Sequence, residues 1–364
     1  MSITRSLNAT ALHARTADLC TTNRWIEDSG FTVPASYSSA REEQWALTER
    51  VALSDLSARQ VWSFRGPDAA SLLSFATLHD AAALAPLRAL ETYWCDDAGY
   101  VRGKGAVVRR EANEFELMTP VRDLAWMLDG AEGFDVQLRD VTAERAAIGV
   151  GGPLAAALLS DAALLSKELH AGDIADVQYR SSRLSVLRRS ESGSFELLLP
   201  AEDAILVWDR LWRAGRSIGL GVAGAEALEL VRIEGGRLKP MVDWLPAQAA
   251  LGDDDLRLPM DFGVTPDLTR RFNGVDALRR TTGSGRQIPV QLVANDAVVA
   301  GSVTVKGSAV GRLTSRAWSE GRNEAVALAW LDPSLAAAGG TVTVSGPSGP
   351  VEARVSMAAQ SRNG

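Results

Sequence analysis

The chain has 364 residues, 46% of them hydrophobic, enough for a large buried core and for two or three domains. Its net charge is −7, with acidic and basic residues interspersed and no basic block, which argues against nucleic acid as a main partner. Cys20 and Cys95 lie far apart, and His13, His79 and His170 show no HExxH spacing, so a disulfide framework, a thiolate zinc site and metal catalysis are all disfavoured.

The N-terminal "MSITRSLNATALHARTADLC" lacks the apolar core of a signal peptide, and no window approaches the roughly 20 apolar residues of a spanning helix. A soluble, cytoplasmic protein is expected. In chain order, "SYSSAREEQWALTERVALSDLS" begins with serines that can cap a helix carrying Glu42, Trp45 and Glu49 at helical spacing. "QVWSFRG" alternates as a short strand, Gly66-Pro67-Asp68 ends it, and "DAASLLSFATL" reads as a helix. The next stretch, "YWCDDAGYVRGKGAVVRR", reads as a hairpin turning at Asp96-Asp97-Ala98-Gly99, and "NEFELMTP" as its following strand. "VRDLAWMLDGA" is helical, and "FDVQLRDVTAERAAIGVGGP" returns to strand.

After Gly151-Gly152-Pro153 come a helix ("LAAALLSDAAL") and two strands, "SRLSVLRRS" and "SFELLLP". "AEDAILVWDRLWRAG" is strongly amphipathic, and "GAEALELVRIEGG" reads as a helix closed by two glycines. From about Gln287 the pattern becomes short strands separated by Gly, Asp and Pro, the signature of a small separate β-barrel or sandwich. The expected class is α+β, with residues 1–280 forming two interleaved subdomains and residues 281–364 a C-terminal β-barrel.

The knot "RGKG" inside the hairpin raises a specific question, because glycine inside a strand marks a bulge or a close backbone approach. It lacks the GxxxxGK[ST] spacing of a phosphate loop and does not lead into a helix. No GxSxG elbow occurs either. In "RRSESGSFELLLP", Glu191 stands in a polar turn between two apolar strands. A solvated carboxylate is the plain reading, and a carboxylate accepting two parallel N–H bonds from a planar heterocycle is the sharper one. Glu226, Glu229 and Arg232 share helical spacing, which surface pairing explains, although a buried arginine facing a ligand is the alternative.

Taken in order, four segments resemble the aminomethyltransferases, the T-proteins of the glycine cleavage system. "GAEALELVRIEGG" is similar to the family's G-A-R-D-x-L-R-L-E-A-G, and "RRSESGSFELLLP" to its YTGE segment. "DFGVTPDLTRRFNGVDALRR" and "GRLTSRAWSEGRNEAVALAWL" are similar to segments that lead into and through its C-terminal barrel. The resemblance implies a T-protein-like folate-binding fold with a central ligand hole, a C-terminal β-barrel, and tetrahydrofolate as cofactor. It implies that Glu191 pairs with the pterin, that Arg232 belongs to the Arg-x-Glu of the central helix, and that Tyr93, Tyr100, Val101 and Gly103 also lie at the cofactor. A folate ring would then be what approaches Gly103 and Gly105.

"SSAREEQWALTERVALSDLS" and the G-x-V-x-G-x-G spacing of Gly99, Val101, Gly103 and Gly105 resemble a particular branch, the tetrahydrofolate-dependent aromatic O-demethylases acting on lignin fragments. There are departures. Where aminomethyltransferases carry an acidic pair and the demethylases an aspartate, this chain has Arg102, Gly103 and Lys104. Arg188 replaces the tyrosine of YTGE, and Leu228 falls where the demethylases hold a tyrosine. An ammonium in place of a carboxylate would repel a cationic amine intermediate, by on the order of several kcal/mol in a poorly hydrated site. Lys104 and Arg102 are therefore the candidate catalytic residues. Partly desolvated, Lys104 would have a lowered pKa and could act as acid or base, or stabilise a phenolate.

The partner expected is a small anionic aromatic, lying against tryptophans drawn from Trp25, Trp45, Trp94 and Trp244. The first reading is methyl transfer from a methoxylated or hydroxymethylated aromatic to tetrahydrofolate. A folate-independent lyase releasing formaldehyde is the close variant, and a non-catalytic folate-binding paralogue the second class. Family members of that last kind carry a Lys-Gly-Cys-Tyr-x-Gly-Gln-Glu motif, whereas "RLKPMVDWLP" has no cysteine. Oligomeric state is not legible.

Overall fold

The computed structural model describes residues 7–191, 193–281 and 287–357. Its contacts divide the chain into two compact units. The first comprises residues 1–73, 80–92 and 105–228, and the second residues 74–79, 93–104 and 229–364. The chain crosses between them within helix Ala69–Ala76, between His79 and Asp80, within strands Arg88–Cys95 and Val101–Glu111, and within helix Ala225–Glu234.

The first unit is built on mainly antiparallel sheets with helices on their faces. One sheet runs in the order Ile174–Tyr179, Ser182–Ser190, Ser194–Pro200, Arg145–Gly151, Ala52–Asp55, Gly221–Val222. Its core side packs Leu53, Ile148, Val150, Val186 and Leu197 against helices Ala155–Asp161 and Ala204–Ala214. The second of these helices buries Ala204, Val207, Trp208 and Leu211, the i, i+3, i+4, i+7 stripe its sequence announces. Helix Ala40–Glu49 starts where expected, with Ser39 Oγ accepting from the Glu42 N–H at 3.2 Å.

A five-stranded sheet runs Arg88–Cys95, Val101–Glu111, Glu114–Thr119, Gln60–Arg65, Gln137–Asp140. Several strands have no counterpart in the sequence reading. Strand Ile174–Tyr179 pairs along Ser182–Ser190 at the sheet's end. Asn8–Ala9 joins Phe31–Ser36 in parallel, and Arg24–Asp28 pairs with that same strand from the other side.

In the second unit the barrel-or-sandwich alternative resolves into a closed barrel, in the order Ile288–Ala294, Glu324–Leu331, Ser308–Ser319, Gly301–Val305, Thr341–Gly346, Gly349–Met357. Strand Glu324–Leu331 is buried on both faces, which is why it reads as an almost continuous apolar run. Ala325, Ala327, Ala329 and Leu331 fill the barrel. Val326, Leu328 and Trp330 face outward into a second core with Tyr93, Val101, Trp244, Phe262 and Phe272. Among the described residues no helix is long and apolar enough to cross a membrane.

Candidate functional site

The hairpin forms because Asp96 closes its turn from both ends. The Asp96 carboxylate accepts the Tyr100 N–H at 2.9 Å, its carbonyl accepts the Gly99 N–H at 3.0 Å, and Gly99 takes φ +84°. Beyond the turn the strand alternates: Val101 and Gly103 are buried, Arg102 and Lys104 half-buried on the opposite side. The close approach that the glycines permit is to protein. A Cβ on Gly103 would overlap the indole of Trp94, which is fully buried, and one on Gly105 would lie 2.7 Å from the Met118 carbonyl oxygen. Packing within the protein is by itself enough to require both glycines.

Lys104 projects toward an aromatic wall. Its Nζ donates to the Leu238 carbonyl at 3.5 Å and stands 6.0 Å from the centre of the Tyr93 ring. Tyr93 packs on Phe262, which meets Trp244 and Trp330 edge to face, with centroids 5.0 to 5.4 Å apart. Segment 237–257 runs beside the strand: Gln248 Nε2 donates to the Arg102 carbonyl at 3.1 Å, and the Val101 N–H donates to the Arg257 carbonyl at 2.8 Å. The Val101 side chain is wholly in the core, so the cofactor contact expected of it is left to its backbone, already engaged. Of the tryptophans expected at a site, Trp94 and Trp244 belong to this unit and are buried. Trp45 is half exposed beneath the Arg50 guanidinium, and Trp25 lies against His13.

Arg232 was expected at the cofactor, and the structure gives it another task. Its Nε and one Nη2 hydrogen grip Glu229 at 2.8 and 2.6 Å, and the second Nη2 hydrogen reaches Ser315 Oγ at 2.8 Å. Nη1 donates to Asp243 at 2.6 Å and to the Arg237 carbonyl. A guanidinium has five N–H donors, and all five are engaged. Asp243, whose side chain is fully buried, also accepts from the Lys239 N–H at 2.8 Å and from the Thr314 and Ser315 hydroxyls, each at 2.6 Å. Its own carbonyl takes the Trp330 indole N–H at 2.6 Å. This knot braces residues 237–243, the turn that presents the Leu238 carbonyl to Lys104, so Arg232 acts on Lys104 by position. Asp243 was not singled out in the sequence; its side-chain partners lie up to 72 residues away, and no local pattern marks it.

Glu191 belongs to the first unit. It sits in the turn between Ser182–Ser190 and Ser194–Pro200, with its side chain 62% exposed. Oε1 accepts the Ala171 N–H at 2.8 Å and Oε2 pairs with Arg188 at 3.1 Å. The Ala171 bond, aided by Arg188 and opposed by slight desolvation, holds the carboxyl below its usual range. Arg188, the departure from the family's tyrosine, thus orients the carboxylate; its guanidinium also donates to the carbonyls of Leu169, Ser190 and Glu191. The Glu191 carboxylate is thus ionised, oriented and exposed, whereas every N–H of Arg232 already has an acceptor.

Comparison with known proteins bears on both units. Residues 13–246 match the model of the GCVT N-terminal domain, and residues 286–359 that of the glycine cleavage T-protein C-terminal barrel domain. An aminomethyltransferase of Streptomyces coelicolor is 29% identical over 85% of this chain and 86% of its own length. The 4-methylaminobutanoate oxidase (formaldehyde-forming) of Paenarthrobacter nicotinovorans is 30% identical over 92% of this chain, which spans 43% of that protein. In structure, the glycine cleavage system aminomethyltransferase T of Bartonella henselae superposes with a TM-score of 0.84 at 20% identity, covering 98% of both chains, and so shares the fold.

Proposed function

This chain belongs to the glycine cleavage T-protein family, and from that premise we propose that it transfers a methyl group from a methoxylated, lignin-type aromatic to tetrahydrofolate. Aminomethyltransferases of this family are enzymes that transfer one-carbon units with tetrahydrofolate. The observation that carries the finer reading is Lys104: a cation, half-buried against Tyr93, on the strand where the aminomethyltransferases keep an acidic pair. That charge disfavours an amine-bearing donor and favours a donor that leaves as an anion.

Tetrahydrofolate, when bound, supplies the acceptor for the methyl group. Glu191 would hold the pterin edge through its outward-facing carboxylate. As the aryl O–CH3 bond breaks, the electron pair stays on the aryl oxygen, and Lys104 Nζ neutralises that phenolate and gives it a proton. Leu238 O and the Tyr93 face keep Nζ in place for this, and Arg232 keeps Leu238 in place.

The test is titration of tetrahydrofolate into wild type and Glu191→Gln, followed by turnover of methoxylated benzoates by wild type and Lys104→Ala. Binding that weakens at least about tenfold in Glu191→Gln, with 5-methyltetrahydrofolate formed by wild type and lost in Lys104→Ala, is expected. Turnover untouched in Lys104→Ala would remove its role. Formaldehyde released without tetrahydrofolate would replace the transferase reading by the lyase one.

A further inference from the structure

Segment 237–257, which borders Lys104 in the second unit, carries apolar side chains that the fold does not bury. Among the described residues its Leu251, 92% exposed, and Met241, 62% exposed, are the two most exposed large hydrophobics, and Val242 beside Met241 is also exposed. Single exposed apolar side chains are ordinary. Met241 differs because its backbone is left-handed, at φ +64°, a conformation that glycine takes freely and methionine takes under strain.

The turn that imposes this backbone is firmly held. The Met241 N–H donates to the Trp244 carbonyl and the Asp243 N–H to the Lys239 carbonyl, each at 2.8 Å. The Asp243 carboxylate accepts the Lys239 N–H at 2.8 Å and pairs with Arg232 at 2.6 Å. Glycine at 241 would keep the same backbone hydrogen bonds with less strain. What methionine adds is a side chain that lies largely in solvent, so its use is in what comes to it.

Position and chemistry define the visitor. By chain length alone Met241 lies within about 10 Å of the Leu238 carbonyl, which accepts from Lys104 Nζ. Leu251 lies within about 10 Å of Gln248, whose side-chain amide donates to the Arg102 carbonyl on the same strand as Lys104. A donor whose oxygen reaches Nζ has its ring a few bonds further out, in the region these side chains border. The thioether of methionine packs well on aromatic rings, and its unbranched chain adapts to their substituents. We propose that Met241, with Leu251, contacts the aromatic body of the donor whose leaving oxygen Lys104 receives, so that the pair selects a ring-bearing donor over a small polar one. The inference rests on the methyl-transfer reading and adds to it the residues that discriminate the donor.

The test is steady-state kinetics of 3- and 4-methoxybenzoate with tetrahydrofolate for wild type, Met241→Gly and Met241→Leu, beside thermal unfolding of each. Met241→Gly relieves the left-handed backbone and should hold or raise Tm, yet raise KM for the benzoate at least about fivefold with a smaller change in kcat. Met241→Leu should stay within about twofold of the wild-type KM, and Leu251→Ser should raise it. The benzoate should also slow hydrogen exchange of wild type at residues 239–244, a readout that stands if a variant does not fold. Turnover with KM unmoved in Met241→Gly, a KM rise accompanied by a fall in Tm, or protection located elsewhere would overturn this inference and leave methyl transfer standing. Neither binding nor turnover of these benzoates by wild type would remove both. Self-association of wild type in sedimentation, absent in Met241→Gly, would assign the side chain to a second copy of the chain and overturn the substrate contact.

Discussion

Arg232 and Arg59, one in each unit, are both largely buried arginines beside acidic residues, and their surroundings differ in kind. Arg232 has an acceptor for every N–H it owns, with Asp243 and Glu229 carrying the balancing charge. Arg59 has one ion pair, and its Nε reaches no acceptor. Sequence treats them alike: each is an arginine in a mixed polar and apolar stretch. Counting donors against acceptors separates them: Arg232 is saturated, and Arg59 relies on its ion pair with Glu196.

The largest effect that sharpens this contrast is expected at Asp243. Asp243→Ala removes the shared acceptor of Arg232, Lys239, Thr314 and Ser315, and should destabilise by about 3–5 kcal/mol, read as a fall in Tm. Arg59→Gln keeps an amide donor for Glu196 and should lose clearly less. Equal losses would show that the two arginines hold the fold alike and would break the comparison.

A smaller effect is expected at the strand glycine. Gly103→Ala drives a methyl into the Trp94 indole, in a core with no slack, and should lose about 1–3 kcal/mol in denaturant unfolding. A neutral result would mean that Trp94 can move and that the glycine is there for some other reason.

The subtlest is the pH response of Glu116. Burial pushes its carboxyl up, but Arg110 and Arg145 outweigh burial and hold it below its ordinary 4.5. A depressed folded pKa contributes stability above pH 4.5 that is lost as pH falls through the folded value. Wild type should therefore exceed Glu116→Gln in Tm near neutrality and converge with it on acidification below 4.5. A gap unchanged by acid would show that the ion pairs do not contribute through ionisation.

Much of the fold was legible because its signals are local. Ser39 as cap, the Val207, Trp208 and Leu211 stripe, and the Asp96–Gly99 turn each lie within a few residues of the element they specify. Strand Ile174–Tyr179 was not legible, being short, half polar and at the end of its sheet. Asn8–Ala9 is two residues of parallel pairing with a strand more than 20 positions away, which no periodicity reveals. Glu191 and Lys104 came from family resemblance, and only the structure supplies their neighbours, the Ala171 N–H with Arg188 for the one and the Leu238 carbonyl with Tyr93 for the other. Arg232 and Val101 came the same way, but their surroundings engage the one fully and bury the other.

By itself the sequence determined the α+β class, the strand-rich C-terminal region, the hairpin with its glycines, and the charge reversal at Lys104, since each follows from residue type and near-neighbour spacing. Only the tertiary structure decided that the C-terminal strands close into a barrel and that Trp94 is what meets Gly103. It alone decided that Asp243 saturates Arg232, and that Arg59 pairs with the buried Glu196. Those outcomes depend on which groups meet across long stretches of chain. Hydrogen bonds and packing are satisfied or left open by that meeting, and composition and spacing do not carry it.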